Sequence, residues 1–111
     1  WIVGRTDDLI VTGGENVAPA EVVDALRDHP DVADAAVVGL PDEEWGERVA
    51  ALVVPGAEAD LSASALEAHC RDRLAGYKVP RTIQFATEVP RTDSGTVDRD
   101  AVRTRLSDSS D

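Results

Sequence analysis

The sequence predicts an α+β domain, a small mixed β-sheet with helices packed against it. Three observations carry that expectation. Two apolar runs of strand length follow one another at about 32–40 and 48–54, stretches with apolar residues at helical spacing stand on either side of them, and glycine or proline marks the changes between them. At 111 residues the chain is one ordinary domain, large enough to bury a core.

The first element is a β-type run, Leu9, Ile10 and Val11, which empties into Gly13 and Gly14. Glycines at a strand exit let the backbone turn tightly or approach a ligand closely, so this segment reads as a loop. Pro19 suits the first turn of a helix. That helix is expected from about Pro19 to Asp28, with Val22, Val23 and Leu26 on one face, and His29-Pro30 ends it. A strand at about 32–40 and a turn at Pro41-Asp42 follow. The next run, about 48–54, is nearly all apolar, the pattern of a strand covered on both faces, and it closes at Pro55-Gly56.

Ser64 with Glu67 three residues on is a capping-box signal, and Leu66, Cys70 and Leu74 then recur at helical spacing until Gly76 stops the helix. Ile83 and Phe85 alternate with polar neighbours, which predicts a short half-buried strand. Asp98 is placed to cap a last helix with Val102 and Leu106 facing inward. The tail 107–111 has nothing to bury and is expected to be disordered. Trp45 and Tyr77 read as packing residues rather than as stacking platforms.

Twenty-two acidic residues against eleven basic ones give a net charge of −11, and Lys78 is the single lysine. Such a surface repels nucleic-acid phosphates and anionic membranes, so neither is an expected partner. Abundant Asp, scarce Lys and high Ala and Val fit a halophilic protein from a salt-loaded cytoplasm, where charges are screened within a few ångströms. An acidic protein from a high-GC mesophile fits them too.

Cys70 stands alone, which excludes an internal disulfide and points to a reducing cytosol. His29 and His69 have no Cys or His at metal spacing and read as a helix end and a helix-face residue. No run approaches the ~20 apolar residues of a membrane-spanning helix. Neither G-x-x-x-x-G-K-[ST] nor G-x-G-x-x-G occurs.

Three stretches carry more. Residues 4–22 read G-R-T-D-D-L-I-V-T-G-G-E-N-V-A-P-A-E-V, residues 29–46 read H-P-D-V-A-D-A-A-V-V-G-L-P-D-E-E-W-G, and Y-K-V-P at 77–80 is followed by P-R-T-D-S-G-T-V-D-R at 90–99. In this order they resemble the C-terminal domain of the adenylate-forming superfamily, which comprises acyl-CoA synthetases, nonribosomal peptide adenylation domains and luciferases. The resemblance covers nearly the whole chain. It implies the small lid domain of a larger ligase of the CoA type, with residues 1–8 as interdomain hinge and 9–106 as the domain. The chain is then expected to be a piece of that enzyme, and by itself it should not turn over.

By the same resemblance, Arg5 contacts the nucleotide ribose or phosphate, against the plainer reading of a surface ion pair with Asp7 or Asp8. Asp7 matches the hinge residue whose torsions change as the small domain swings, against an ordinary turn carboxylate. Gly13, Gly14, Glu15 and Asn16 match the loop that lines the CoA pantetheine channel, against a mere turn. Lys78 reads equally as a surface lysine or a contact to the large N-terminal domain, the expected partner. ATP, AMP, CoA and a small carboxylic acid are the implied small molecules. Magnesium would enter with ATP, and no metal site is expected in this domain. S/T-G-G-E-N-V/I-x-P-A-E with Y-K-V-P resembles 2-succinylbenzoate CoA ligases of menaquinone biosynthesis and also medium- and long-chain fatty acyl-CoA ligases. Amino-acid adenylation is a further variant.

One position departs. Where the family has a catalytic lysine after the glycine of P-R/K-T-x-x-G-K, this chain has Thr96. In the family that lysine lies over the acyl carboxylate and the α-phosphate. A threonine hydroxyl can donate one hydrogen bond but brings no positive charge. Losing one preorganised donor at such a place costs about 2.7–4 kcal/mol. Adenylation is therefore expected to be impaired unless Lys78, Arg91 or Arg99 compensates. A noncatalytic binding module that kept the fold and lost the lysine is the reading from a different class.

Overall fold

A computed structural model describes residues 9–57 and 60–108. The hinge segment 1–8, with Arg5 and Asp7, lies outside the described residues. In chain order the elements are β1 (Ile10–Thr12), β2 (Glu15–Val17), α1 (Pro19–Arg27), β3 (Val32–Asp42), β4 (Gly46–Pro55), α2 (Ala63–Arg71), a 3₁₀ turn (Gly76–Lys78), β5 (Thr82–Phe85) and α3 (Arg99–Asp108).

The organising unit is the β3–β4 hairpin. Its antiparallel ladder runs from Val32 opposite Pro55 to Asp42 opposite Gly46, with a register shift between Val32 and Asp34. The other edge of β4 is shared. Thr12 of β1 pairs with Gly46 at one end, and β5 pairs in parallel with Ala50–Val53 towards the other. β2 completes the sheet by pairing antiparallel with β1, which makes the sheet mixed as the sequence implies.

Side chains alternate across strands, and both faces of β3 and β4 are covered. Val37, Val49, Ala51 and Val53 pack with Val22 and Leu26 of α1 and with Leu66 and Cys70 of α2. Val38, Leu40, Ala50 and Leu52 pack with Val102 and Leu106 of α3. This is why the run through β4 carries almost no polar residue. Val102 and Leu106 are fully buried, and Asp98 Oδ1 accepts the Ala101 N–H at 3.1 Å, so the last helix starts where the sequence puts it.

Several expectations need correction. The segment after Gly14 is not a loop: Glu15, Asn16 and Val17 form a strand, and 10–17 is a β-hairpin. β3 continues through Pro41 to Asp42, leaving Glu43–Trp45 as the turn. A proline is tolerated there because β3 is the outer strand of the sheet, where an N–H need not join a ladder. The N-cap of α2 is Ser62, not Ser64: its extended backbone (φ −114°, ψ 157°) lets Oγ accept the Ala65 N–H at 3.1 Å.

The same helix ends at Arg71, earlier than Gly76, because the Arg73 and Leu74 N–H groups both donate to the Cys70 carbonyl and tighten the chain. Phe85 is 37 % exposed, so only Ile83 anchors β5 inward. α3 runs to Asp108 and takes the first two residues of the expected tail into a helix. The last three residues lie outside the described residues.

Candidate functional site

The described candidate residues fall into two exposed turns. The first adjoins β4 at Gly46, whereas the second borders a groove along β3 at 34–37, which pairs with 51–54 of β4.

The first is the β1–β2 turn. Gly13 and Gly14 both have positive φ, +60° and +84°, the pair of left-handed conformations that a tight two-residue hairpin turn needs. All four of Gly13, Gly14, Glu15 and Asn16 are exposed. The β3–β4 turn supports them from the side. The Gly13 N–H donates to the Trp45 carbonyl at 2.9 Å, and the Val11 N–H donates to Glu47 Oε1 at 2.9 Å. Asp42 Oδ1 accepts the N–H groups of both Glu44 and Trp45 at 2.9 Å, and these backbone donors, the Trp45 one foremost, hold its carboxyl below the usual carboxylate range. Arg48 bonds the Pro41 carbonyl and the Thr82 hydroxyl and so ties the turn to β5.

The second turn carries Thr96. Arg91 and Val97 form a bridge, the Thr92 N–H donates to the Thr96 carbonyl at 2.8 Å, and the Gly95 N–H donates to the Thr92 carbonyl at 2.9 Å, with Gly95 at φ +88°. This is a short hairpin closed by a glycine bulge. Its tip presents hydroxyls: Thr92 Oγ1 lies 3.0 Å from Ser94 Oγ, and that oxygen lies 3.5 Å from Thr96 Oγ1.

Thr96 lines a groove of about 410 Å³ floored by Ala35 and Val37 of β3 and walled by Val23 of α1 and Val97. Three arginines line it: Arg27, Arg91 and Arg99.

The cations suggested by the sequence separate here. Lys78 is not at this groove. Its ammonium donates to both Glu21 carboxylate oxygens at 2.8 and 2.9 Å, which straps the 3₁₀ turn to α1 and raises the lysine above its ordinary value. Arg91 lines the groove, but its guanidinium is engaged with the Asp34 carboxylate. Arg99 also lines it. Arg27 went unnoticed in the sequence, although Pro19, Val23 and Arg27 recur at four-residue steps along one face of α1, which is a readable signal.

His29 follows the end of α1 and His69 lies in α2, the helix-end and helix-face places expected of them. His69 Nε2 donates to the Ala25 carbonyl at 2.7 Å, and its ring lies edge-on to His29 at 4.9 Å. Burial pushes the Cys70 thiol up, as suits a core residue. Among the described residues no three His, Cys, Asp or Glu side chains come together as a cation site, and no helix is long and apolar enough to cross a membrane.

An α+β unit with a mixed sheet, helices on both faces and two exposed glycine turns is the class of domain so defined. The AMP-binding enzyme C-terminal domain family matches residues 21–96, and the chain belongs to that family. It is 44 % identical over 105 residues to a feruloyl-CoA synthase of an Amycolatopsis species, covering 95 % of this chain and 21 % of the relative. It is 48 % identical over 91 residues to the 2-succinylbenzoate–CoA ligase of Geobacillus kaustophilus, covering 82 % and 19 %. Among solved structures, a Mycobacterium tuberculosis fatty acyl CoA synthetase superimposes with a TM-score of 0.86 at 40 % identity, covering 94 % of this chain and 20 % of that one. The chain thus spans about a fifth of the length of the curated relatives it matches.

Proposed function

We propose that this chain is the C-terminal part of an AMP-forming, ATP-dependent acid–thiol ligase. In the first half-reaction a carboxylate oxygen bonds to the α-phosphorus of ATP and pyrophosphate leaves. In the second, the CoA thiol attacks the acyl carbon and AMP leaves. The observation that carries the reading is the family match over residues 21–96 together with relatives named as CoA ligases. Two separate exposed turns, one at the edge of the sheet and one outside it, agree with it, since each half-reaction would use a different one. The large domain of the same enzyme is the partner, magnesium enters with ATP and is held mainly by that domain, and the cytosol is the compartment.

Within this reading Thr96 faces the adenylate, Arg5 the nucleotide, Asp7 serves as hinge, and Gly13–Asn16 faces CoA. A neutral hydroxyl in place of an ammonium leaves developing negative charge uncompensated, so adenylation is the weak half-reaction. Arg27, Arg91 and Arg99 line the same groove, with Arg91 paired to Asp34, and their positive charge is the nearest counterpart to the missing ammonium. Supplying a preformed acyl-adenylate should bypass the deficit. The test is to measure pyrophosphate exchange and CoA transfer separately in the complete enzyme, with Thr96→Lys alongside. No gain in exchange from the lysine would refute the deficit.

The acyl substrate is set by the rest of the enzyme. The finer reading is 2-succinylbenzoate, and hence menaquinone biosynthesis, supported by the 48 % identity to a ligase of that name. Fatty acids and amino acids are the alternatives. Turnover with a panel of 2-succinylbenzoate, ferulate, a long-chain fatty acid and amino acids decides among them. The neutral Thr96 also favours a second reading, a noncatalytic module. Absence of both half-reactions with every acid would support it. The acidic surface supports the halophilic reading, and equal stability in about 0.1 M and 2 M KCl would remove it.

A further inference from the structure

We propose that Trp45 is the positioning residue of the Gly13–Gly14 turn and that Arg81 acts through it, which deepens the ligase reading and rests on it. The two glycines, alike in sequence, differ in space. A methyl group on Gly13 would come within 2.6 Å of Trp45 Cε3 and 2.8 Å of Cζ3, whereas one on Gly14 would meet nothing within 4 Å. Gly13 therefore lacks a side chain because an indole occupies the place where one would go. Gly14 faces open space, and with Glu15 and Asn16 it forms the side that a thin ligand chain can approach.

Trp45 grips the turn twice. Its carbonyl accepts the Gly13 N–H at 2.9 Å, and its ring closes on the Gly13 backbone. Arg81, next to the start of β5, lies over the same ring with its guanidinium carbon 4.4 Å from the centroid, and its own N–H is held by the Val49 carbonyl at 2.8 Å. A flat guanidinium stacks on an indole in a way that a lysine ammonium does not. The Asp42 carboxylate fixes the Trp45 backbone from the other direction. A three-residue strand pair would hold its turn poorly by itself, and here the Trp45 ring, stacked by Arg81 from a segment distant in sequence, closes on it while Asp42 fixes the Trp45 backbone.

A displacement of ~1 Å at a site that positions a reacting group can cost on the order of 100-fold. Trp45→Ala in the complete enzyme is expected to slow CoA transfer from a supplied acyl-adenylate by about 10- to 100-fold. Pyrophosphate exchange should stay within about twofold, because the Trp45 ring lies against the turn assigned to CoA and Thr96 is on a different hairpin. Trp45→Phe, which keeps a ring against Gly13, should recover most of the transfer rate, and Arg81→Ala should fall between, with Arg81→Lys failing to restore it.

Gly13→Ala should harm thermal stability and CoA transfer less when Trp45 is already alanine. Equal loss in both half-reactions from Trp45→Ala and Arg81→Ala alike would overturn the proposal. So would Gly13→Ala effects that simply add to those of Trp45→Ala. If Trp45→Ala does not fold, Trp45→Phe and Arg81→Ala carry the same split. A wild-type enzyme that performs neither half-reaction would instead bring down the ligase reading, and with it the role at the CoA step. The Gly13/Trp45 stability cycle would still report whether the contact holds the turn.

Discussion

The β1–β2 turn and the 91–97 hairpin are both short, exposed and built on left-handed glycines, yet they are held in opposite ways. The first depends on side chains and backbone from 42–48 and 81. The second closes on itself through Thr92, Gly95 and Thr96 and is tied down by Asp98, whose N–H donates to the Pro90 carbonyl at 3.0 Å, and by the Arg91–Asp34 pair. The difference teaches where substitutions are free. A loop that supplies its own hydrogen bonds through its backbone can exchange side chains without changing shape. A loop held by neighbours inherits every change in them.

The largest effect expected from this contrast is catalytic rather than structural. Thr96→Lys should raise the pyrophosphate-exchange rate of the complete enzyme by about 100- to 1,000-fold. It should change the free energy of unfolding in urea little, within about 0.5 kcal/mol, because Thr96 takes part in closing the hairpin through its backbone carbonyl. Gly13→Ala should do the reverse, costing about 2–4 kcal/mol in urea unfolding through the left-handed torsion and the collision with Trp45 together. Gly14→Ala keeps the torsional cost alone, about 1–2 kcal/mol, since the space beside it is open. Equal losses from the two alanines would erase the distinction between the glycines.

Acid should separate the turns next. The Asp42 carboxyl is held below its ordinary value by backbone N–H donors, so its contribution is present above the unfolded carboxylate value near 3.9 and lost as pH falls through the lower folded value. Amide exchange or backbone shifts followed from pH 5 downward should show Gly13, Glu44 and Trp45 loosening before Thr92 and Gly95. The smallest effect is expected from Arg91→Ala. A pair this exposed contributes at most about 1 kcal/mol, and denaturation by urea should register no more than that.

Much of the scaffold was legible because its signals are local or periodic. The apolar runs of β3 and β4 follow from burial on both faces, Pro19 opens α1, and Asp98 caps α3. The Ser62 cap was missed because two serines stand two residues apart and both allow Leu66 and Cys70 to face inward. Only the extended backbone at Ser62 decides between them. β2 was missed because three residues with Val17 alone buried carry no readable period. The site was half legible. Motifs brought Gly13–Asn16 and Thr96 forward, but the stacking of Arg81 on Trp45 joins positions 36 residues apart, and no spacing rule reaches that far.

A strand that is greasy on both sides pays no penalty in water exposure for sliding by one residue, since either face of β4 is welcome in either core. Its alignment must therefore be pinned from the ends. The capped bend at Asp42–Gly46, with Gly46 at φ +84° and Arg48 latched across to Pro41 and Thr82, is such a pin. The same few residues thus keep the whole sheet in step and aim the glycine turn beside it. A slip there would be felt at once as misalignment of the side chains in both cores and of the glycine turn outside.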